Sequence, residues 1–325
     1  MNKLTKTVLI IASMLCLVGG VFFVGGLATG GLGKLTASDH STAAWGGNGK
    51  IYSMEKTKLE PFNHLKVNLD TADFILKPSD DDSCYLSYHL TGNKKANPVS
   101  YQTEDGQLTL TEQQKSNVYI SVNFSFLSNL LRGKASAPLE EEQVVLYVPA
   151  SFRLEQLDGH LKDGDAFLDG TLCDTMNLTL DYGDLSLKNV QSSTSHITTS
   201  DGDVSVTDFS SDKCNLTLNY GDLTMRHSSI KDGAIRIDDG DFIAKDTSFI
   251  GKVDVILAYG DGKLSLEKEE FDTLSLLLDT SYGEITVDNL SMDSDDVNHY
   301  EKTGTHPEQM LSIRSDDGDI VIKTK

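Results

Sequence analysis

Proline is scarce in this 325-residue sequence, and its distribution is uneven. Only six prolines are present, and none lies between residues 150 and 306. Proline has no backbone N–H to donate to a neighbouring strand, so strands that are paired on both sides avoid it. We therefore expect the chain after residue 150 to form β-sheet in which most strands have two neighbours.

Cysteine is also scarce, which limits disulfide bonding and metal binding. The four cysteines are Cys16, Cys84, Cys173 and Cys214, and no two of them form a C-x-x-C pair. Cys16 lies in an apolar N-terminal run, which leaves an odd number for the rest of the chain and excludes an even disulfide framework. We expect buried free thiols, with a single disulfide bridge as the alternative.

Basic residues are few compared with acidic ones. The 28 lysines and arginines face 49 aspartates and glutamates, for a net charge of −21. The first 50 residues contain four lysines and one aspartate, or +3, so the remainder carries −24. A surface this acidic repels nucleic acid and anionic lipid headgroups, and we exclude DNA or RNA as a partner on that ground.

Charge is absent from one long N-terminal segment. The 22 residues from Thr7 to Ala28 contain no ionisable acid or base, and Lys3 and Lys6 precede them. About 20 apolar residues span a bilayer as a helix, and preceding lysines favour a cytoplasmic N-terminus. We predict a cytoplasmic stub at 1–6, a transmembrane anchor at 7–29 and a flexible linker at 30–55. The alternative is a signal peptide cleaved after the small residues around Ala28.

A glycine followed by an acid recurs at a nearly fixed interval. The spacings between successive copies are 19, 19, 19, 19, 20, 23 and 35 residues, and the glycines are Gly164, Gly183, Gly202, Gly221, Gly240, Gly260, Gly283 and Gly318. A period near 20 is typical of stacked repeat architectures. We interpret these glycines as structural turns, where the backbone needs the positive φ that glycine adopts freely.

Apolar and polar residues alternate on both sides of each glycine. Apolar residues stand five positions before it, as in Leu178, and two and four positions after it, as in Leu185 and Leu187. This alternation predicts two half-buried strands joined by a bend. A 19-residue unit cannot bury its own apolar face, so the units must stack. We predict an all-β fold, with a regular β-solenoid at 151–325 behind an irregular β-rich part at 56–150. The final segment "DIVIKTK" is predicted to be the last strand of the stack. Its lysines would prevent other chains from pairing with its exposed edge.

The order of these segments resembles a known family. "EPFNHLKVNLDTADFILKPSD", "EDGQLTL" and "VVLYVPASFRLEQL" precede the serial strand-Gly-Asp-strand units. This order is similar to that of the bacterial envelope β-strand-repeat or "putative adhesin" domains, over residues 56 to 325. The resemblance implies a domain outside the membrane behind an N-terminal helix, and it supplies no catalytic residues. Some relatives are tied to envelope-stress responses.

An acid follows every repeat glycine. The row comprises Asp165, Asp184, Asp203, Asp222, Asp241, Asp261, Glu284 and Asp319. If the units stack at strand spacing, these carboxylates lie about 5 Å apart. We expect each acid to accept backbone N–H groups at its bend, as aspartate does in turns. Structural Ca²⁺ held by the row is the alternative, and no other cofactor is expected.

The residue before the glycine alternates between aspartate and tyrosine. In chain order it is Asp163, Tyr182, Asp201, Tyr220, Asp239, Tyr259, Tyr282 and Asp317. In one interpretation, tyrosine interrupts a second row of like charges. In the other, a coil of 38 rather than 19 residues stacks the tyrosines into an aromatic column that binds glycan or peptide. The candidate binding face is Tyr182, Tyr220, Tyr259 and Tyr282.

Signals of catalysis are weak. Ser210 and Lys213 have the S-x-x-K spacing of Ser–Lys enzymes but lack the companion motifs. The eight histidines are scattered without metal-ligand spacing. A polysaccharide-active β-helix enzyme needs one distinctive carboxylate cluster, whereas these acids recur equally in unit after unit.

These observations favour a membrane-anchored, extracellular, non-catalytic binding protein of the cell envelope, adhesin-like in role. Its expected partner is a surface glycan, a cell-wall polymer or a protein, reached by a domain whose acidity favours cationic groups. The alternative is a regulatory envelope-stress protein that senses cationic peptides or restrains a membrane partner. A polysaccharide-active enzyme is the minor alternative.

Overall fold

The computed structural model describes residues 50–92, 97–112, 142–287 and 298–325. Strands dominate these residues, in two sheets that face each other. Sheet A contains β1 (Lys50–Lys58), β3 (Asp73–Pro78), β4 (Tyr85–Gly92), β7 (Gln143–Val148), β9 (Ala166–Asp169), β11 (Leu185–Lys188), β13 (Val204–Thr207), β15 (Leu223–Arg226), β17 (Phe242–Lys245), β20 (Gly262–Leu266), β22 (Ile285–Val287) and β25 (Ile320–Thr324).

Sheet B lies opposite and contains the longer strands of the repeat. Its members are β2 (His64–Leu69), β5 (Val99–Glu104), β6 (Gln107–Glu112), β8 (Arg153–Asp163), β10 (Leu172–Tyr182), β12 (Gln191–Asp201), β14 (Ser210–Tyr220), β16 (Ser229–Asp239), β18 (Ser248–Phe249), β19 (Lys252–Tyr259), β21 (Ser275–Tyr282), β23 (His299–Lys302) and β24 (Met310–Asp317). A short helix, α1 (Lys268–Thr273), precedes β21.

The predicted alternation determines which side chains enter the core between the sheets. Leu178 and Leu180 of β10 are buried, as are Leu185 and Leu187 of β11. Apolar residues at the same positions of the other repeats are also buried, with exposed fractions of 6% or less. The predicted solenoid of stacked β-units is therefore confirmed.

The pairing register determines the length of one coil. Leu172 of β10 pairs with Arg153 of β8 on one side and with Gln191 of β12 on the other, in parallel. Each partner is 19 residues away, and the same offset holds between β11 and β13. One coil is therefore one strand of sheet B, a glycine bend and one strand of sheet A, and the 38-residue alternative is wrong.

The segment predicted as irregular also contributes to the stack. Strands β2 and β3 pair with β8 and β9 in parallel, so residues 64–78 form a coil of their own. Strands β6 and β7 lie on the far side of that coil, in sheets B and A respectively. On this side, sheet B ends with the antiparallel strand β5, and sheet A ends with the antiparallel strands β4 and β1. β1 begins at Lys50, inside the predicted linker.

The C-terminal end of the stack is not in chain order. Strands β24 and β25 lie between the coil of β19 and β20 and the coil of β21 and β22. The prediction that "DIVIKTK" forms an exposed final edge is therefore wrong, because β25 has a neighbour on both sides. Strand β23 pairs antiparallel with β21, and His299 Nδ1 lies 2.6 Å from Asp279 Oδ1 across that pair.

The second bend of the regular coils, after β9, β11, β13, β15 and β17, uses a left-handed backbone conformation. Asn189, Asp208, His227 and Asp246 occupy equivalent positions with φ between 47° and 54°. Asparagine and aspartate tolerate this region better than most residues. The segments "QSST" and "SSDK" have the composition of turns, but they begin β12 and β14.

Small hydroxyls in the core explain why those two segments resemble turns. Ser192, Ser195 and Ser211 are buried, where other coils place apolar side chains. Ser192 Oγ lies 2.5 Å from Ser195 Oγ and 3.1 Å from Ser211 Oγ, so the hydroxyls satisfy one another. Buried polar groups are tolerated when they are hydrogen-bonded in this way.

The predicted free thiols are confirmed for the described cysteines. Cys84, Cys173 and Cys214 are unpaired, and the last two are buried. Burial raises the pKa of Cys84 and Cys173 to about 11 and that of Cys214 to about 12. Thiols held in the neutral form are poor nucleophiles, so none of the three suits covalent chemistry.

Several predicted features lie outside the described residues. They are the cytoplasmic stub, the anchor at 7–29, most of the linker, and Cys16. Within the described ranges, no helix has the length and apolarity needed to cross a membrane.

Candidate binding edge

The glycine bends line up along one edge of the solenoid, here called the bend edge. It consists, in each coil, of the repeat glycine and the residues before and after it. Six of these glycines have φ between 128° and 158°, as predicted: Gly183, Gly202, Gly221, Gly240, Gly260 and Gly318. A residue other than glycine is strained at these φ values, because its Cβ clashes with the neighbouring backbone.

Close packing is a second reason for glycine at these bends. A Cβ added to Gly221 would overlap the carbonyl oxygen of Gly202 in the preceding coil. The same overlap recurs along the row: a Cβ on Gly164 would lie 2.6 Å from the oxygen of Ala72, and one on Gly283 would meet Gly318. The backbones of successive bends therefore touch, and a side chain would separate the coils.

The acids that follow the glycines form a hydrogen-bonded ladder. Oδ1 of Asp184 accepts the backbone N–H of Asp203 at 2.8 Å, and Oδ1 of Asp203 accepts that of Asp222 at 2.9 Å. The pattern is continuous, with distances of 2.8–2.9 Å at every step. The expectation that these acids accept backbone N–H groups is correct in kind, but the donor belongs to the next coil rather than to the acid's own bend.

The two ends of the ladder explain its sequence. It begins at Asp73, whose Oδ1 accepts the N–H of Asp165. We missed Asp73 because Ala72 precedes it in place of glycine, although "ADFIL" otherwise has the repeat pattern. The ladder ends at Glu284, whose strand β22 is the last of sheet A within the described residues. No described coil follows β22, so an acid at this position has no backbone N–H of a next coil to accept, and aspartate is not required.

A buried carboxylate closes the bend edge near its start. Glu112 is 5% exposed, and its oxygens accept the backbone N–H groups of Asp70, Thr71 and Ala72 at 2.8–3.1 Å and the hydroxyl of Thr71 at 2.8 Å. Its partners lie about 40 residues away in the chain, so no local sequence signal identifies this role.

The residues before the glycines form a row in which aspartate and tyrosine alternate without exception. Tyr182 pairs with Asp163 and Asp201, and Tyr220 pairs with Asp201 and Asp239. In chain order the alternation fails at Tyr259 and Tyr282. In space it is restored, and the order along the row is Asp163, Tyr182, Asp201, Tyr220, Asp239, Tyr259, Asp317 and Tyr282.

The tyrosines of this row face solvent. Their exposed fractions are 61% for Tyr182 and Tyr220, 63% for Tyr259 and 80% for Tyr282. An aspartate separates each pair, so successive tyrosines are two coils, or roughly 9.6 Å, apart. The rings therefore do not form a continuous stack, which corrects the aromatic-column interpretation. They stand as separate, evenly spaced aromatic surfaces.

Most carboxylates of the bend edge lack a basic partner. Among the described residues, no lysine, arginine or histidine forms an ion pair with the row aspartates: Asp163, Asp201, Asp239 and Asp317. The same holds for Asp165, Asp184, Asp203 and Asp222 of the ladder, whose Oδ1 atoms are engaged with backbone N–H groups.

One lysine contacts the ladder near its C-terminal end. Lys263 Nζ lies 2.9 Å from Oδ2 of both Asp241 and Asp261. Hydrogen bonds to Asp261 and Asp241 raise the pKa of Lys263. The hydrogen bond from the Asp319 N–H, and then that from Lys263, lower the pKa of Asp261. The other described coils have no lysine at the equivalent position of sheet A.

The other candidate groups do not converge into a site. Ser210 and Lys213 lie three residues apart on the extended strand β14, which places them roughly 10 Å apart. Within the described ranges, no three histidine, cysteine or acidic side chains are arranged to hold a metal ion.

Residues 62–323, well over half of the chain, match the family described as Toastrack DUF4097. The chain belongs to this family. The match spans the coils described above, and the predicted resemblance to β-strand-repeat "putative adhesin" domains is confirmed. No curated protein matches the sequence.

Solved structures similar to this Toastrack chain share little sequence with it. One, described as a "putative adhesin" from Parabacteroides merdae, has 14% identity and a TM-score of 0.48, covering 86% of this chain and 98% of its own. Another adhesin so described, from Bacteroides fragilis, has 14% identity and a TM-score of 0.44, covering 85% and 97%. A third, described as a "putative lipid binding protein" from Parabacteroides distasonis, has 13% identity and a TM-score of 0.39, covering 85% and 98%.

Proposed function

We propose that this Toastrack protein is a non-catalytic binding protein of the bacterial envelope, adhesin-like in role, that contacts its partner through the bend edge. The observation that carries the proposal is the row of four exposed tyrosines alternating with aspartates that have no basic partner among the residues that the structure describes. Solvent-exposed aromatic rings at regular intervals are typical of recognition surfaces.

The partner chemistry follows from the charge and the rings together. A cation placed between two rings would contact a carboxylate directly and an aromatic face on either side. A surface glycan, cell-wall polymer or protein that displays basic groups meets this requirement. The net charge of −21 would also accelerate the approach of such a partner at low ionic strength.

The proposed location is the outer face of the cell membrane. The uncharged segment at 7–28, preceded by Lys3 and Lys6, supports a single-pass anchor with the N-terminus in the cytoplasm. The repeat domain would then stand outside the membrane, where it meets surface polymers.

Binding to a fluorescent lysine oligomer tests the proposal. The full-length chain in mild detergent should bind this probe at low salt and release it at high salt. It should not bind a glutamate oligomer. Replacing Tyr182 and Tyr220 with alanine should weaken binding roughly 5- to 30-fold, since each exposed cation–π contact contributes about 0.5–1 kcal/mol.

A matched control is available on another strand. Tyr101 of β5 is 39% exposed and lies away from the bend edge. Tyr101→Ala should leave binding unchanged. Equal losses in the Tyr101 variant and in the double variant would show that the bend edge is not the binding surface.

A further inference from the structure

The bend edge has a length scale that discriminates among ligand conformations. Neighbouring strands are about 4.8 Å apart, and tyrosine recurs in every second coil, so the chemical repeat of the row is about 9.6 Å. A ligand that uses several repeats at once must present equivalent groups at nearly the same interval.

Only one regular peptide conformation matches this interval closely. A polyproline-II helix has three residues per turn and a rise of about 3.1 Å per residue, so every third side chain lies on one face about 9.3 Å apart. An extended strand repeats on one face at about 6.6 Å, or at about 13 Å for alternate positions. An α-helix repeats at about 10.5 Å over seven residues and drifts nearly 3 Å across three tyrosine intervals.

We propose that the bend edge binds a basic polyproline-II segment with one lysine or arginine per turn. This inference rests on the proposed function and specifies its ligand. Each basic side chain would reach an aspartate of the row, such as Asp201 or Asp239. The intervening prolines would pack on the rings, such as Tyr220.

The unused hydrogen-bonding groups of the row fit the same ligand. A polyproline-II backbone has no internal hydrogen bonds, so its carbonyl groups are available as acceptors. The hydroxyls of Tyr182, Tyr220, Tyr259 and Tyr282 have no partner within the described residues and can donate to them. Known proline-rich segments dock on aromatic-lined surfaces in this manner.

The length of the row sets the size of the probe. Seven strand steps separate Asp163 from Tyr282, or about 34 Å. A 12-residue polyproline-II peptide is about 37 Å long. The peptide (Lys-Pro-Pro)4 therefore spans the row and offers one lysine for each of Asp163, Asp201, Asp239 and Asp317.

A pair of peptides with identical composition tests the spacing. The first is labelled (Lys-Pro-Pro)4, and the second has its four lysines together at one end followed by eight prolines. Both bear the same charge, so general electrostatic attraction affects them equally. The full-length chain should bind the periodic peptide on the order of tenfold more tightly. Tyr220→Ala, Asp201→Asn and Asp239→Asn should each reduce this preference, and Tyr101→Ala should not.

The possible outcomes separate this inference from the proposed function. Equal affinity for the two peptides, with both lost in Tyr220→Ala, would overturn the polyproline-II inference and leave the bend edge as a cation-binding surface. If neither peptide bound in a tyrosine-dependent way, both the inference and the proposed function would be overturned. A helical peptide with lysine at every seventh position that bound more tightly than (Lys-Pro-Pro)4 would also overturn the inference.

Discussion

The stacked glycines of the bend edge make one quantitative prediction. Replacing Gly221 with alanine puts a side chain at φ 128°, a strained conformation that costs about 1–3 kcal/mol. The new Cβ also overlaps the carbonyl oxygen of Gly202, and relieving such overpacking costs a further 1–3 kcal/mol or so. We expect the free energy of unfolding to fall by about 2–6 kcal/mol, a large part of what a typical domain possesses.

The same substitution at Gly262 is the matched control. Gly262 occupies a buried, inward position of β20, and a Cβ there would lie 3.5 Å from Leu257, in ordinary contact. Its φ is not in the left-handed range. Gly262→Ala should therefore stabilise the protein by about 0.4–1 kcal/mol, because alanine restricts the unfolded chain.

Urea denaturation of the full-length chain, followed by circular dichroism, measures both variants. The midpoint should fall for Gly221→Ala and stay level or rise for Gly262→Ala, with similar slopes. If the two midpoints agreed within error, close contact between successive bends would not be what requires glycine, and the reasoning would fail.

Three further predictions concern charged groups. Glu112→Ala leaves four hydrogen-bond donors without their acceptor. This variant should lower the free energy of unfolding by about 3 kcal/mol. A change below about 1 kcal/mol would contradict the role of Glu112 as a buried acceptor. The hydrogen bond to Asp279 raises the pKa of His299 above its ordinary 6.5. The stabilisation of the folded state by this ion pair is therefore complete below pH 6.5 and is lost as pH rises through the raised pKa. The urea midpoint of His299→Gln should lack this decline, and an unchanged decline would exclude the His299–Asp279 pair as its cause. Lys263→Met removes the ion pairs with Asp241 and Asp261. It should lower the free energy of unfolding by about 0–1 kcal/mol at low salt and by less at high salt. A loss that does not depend on salt would argue against ion pairing.

Much of the fold was predictable because its signals are local. The alternation around Gly183 places Leu178, Leu185 and Leu187 in the core without knowledge of any neighbour. The need for glycine at this bend follows from its own backbone conformation. Each of these features depends on a few consecutive residues, and short-range periodicity carries that information.

The candidate binding edge was predictable only in part. Tyr182 and Asp184 stood out because they recur, but the acceptor role of Asp184 toward the next coil depends on stacking. Asp73 was missed because Ala72 replaces the glycine, and Glu112 because its partners are remote in sequence. Lys263 was missed because a single lysine in a strand carries no repeat signal.

The sequence by itself determined the coil's strands, bends and buried face, because side-chain alternation and backbone conformation act between near neighbours. The order of the coils was decided only by the tertiary structure. The placement of β24 and β25 between two earlier coils puts Asp317 between Tyr259 and Tyr282, which completes the alternating row. Strand pairing over 35 to 58 residues of chain produces that arrangement, and no local pattern encodes it.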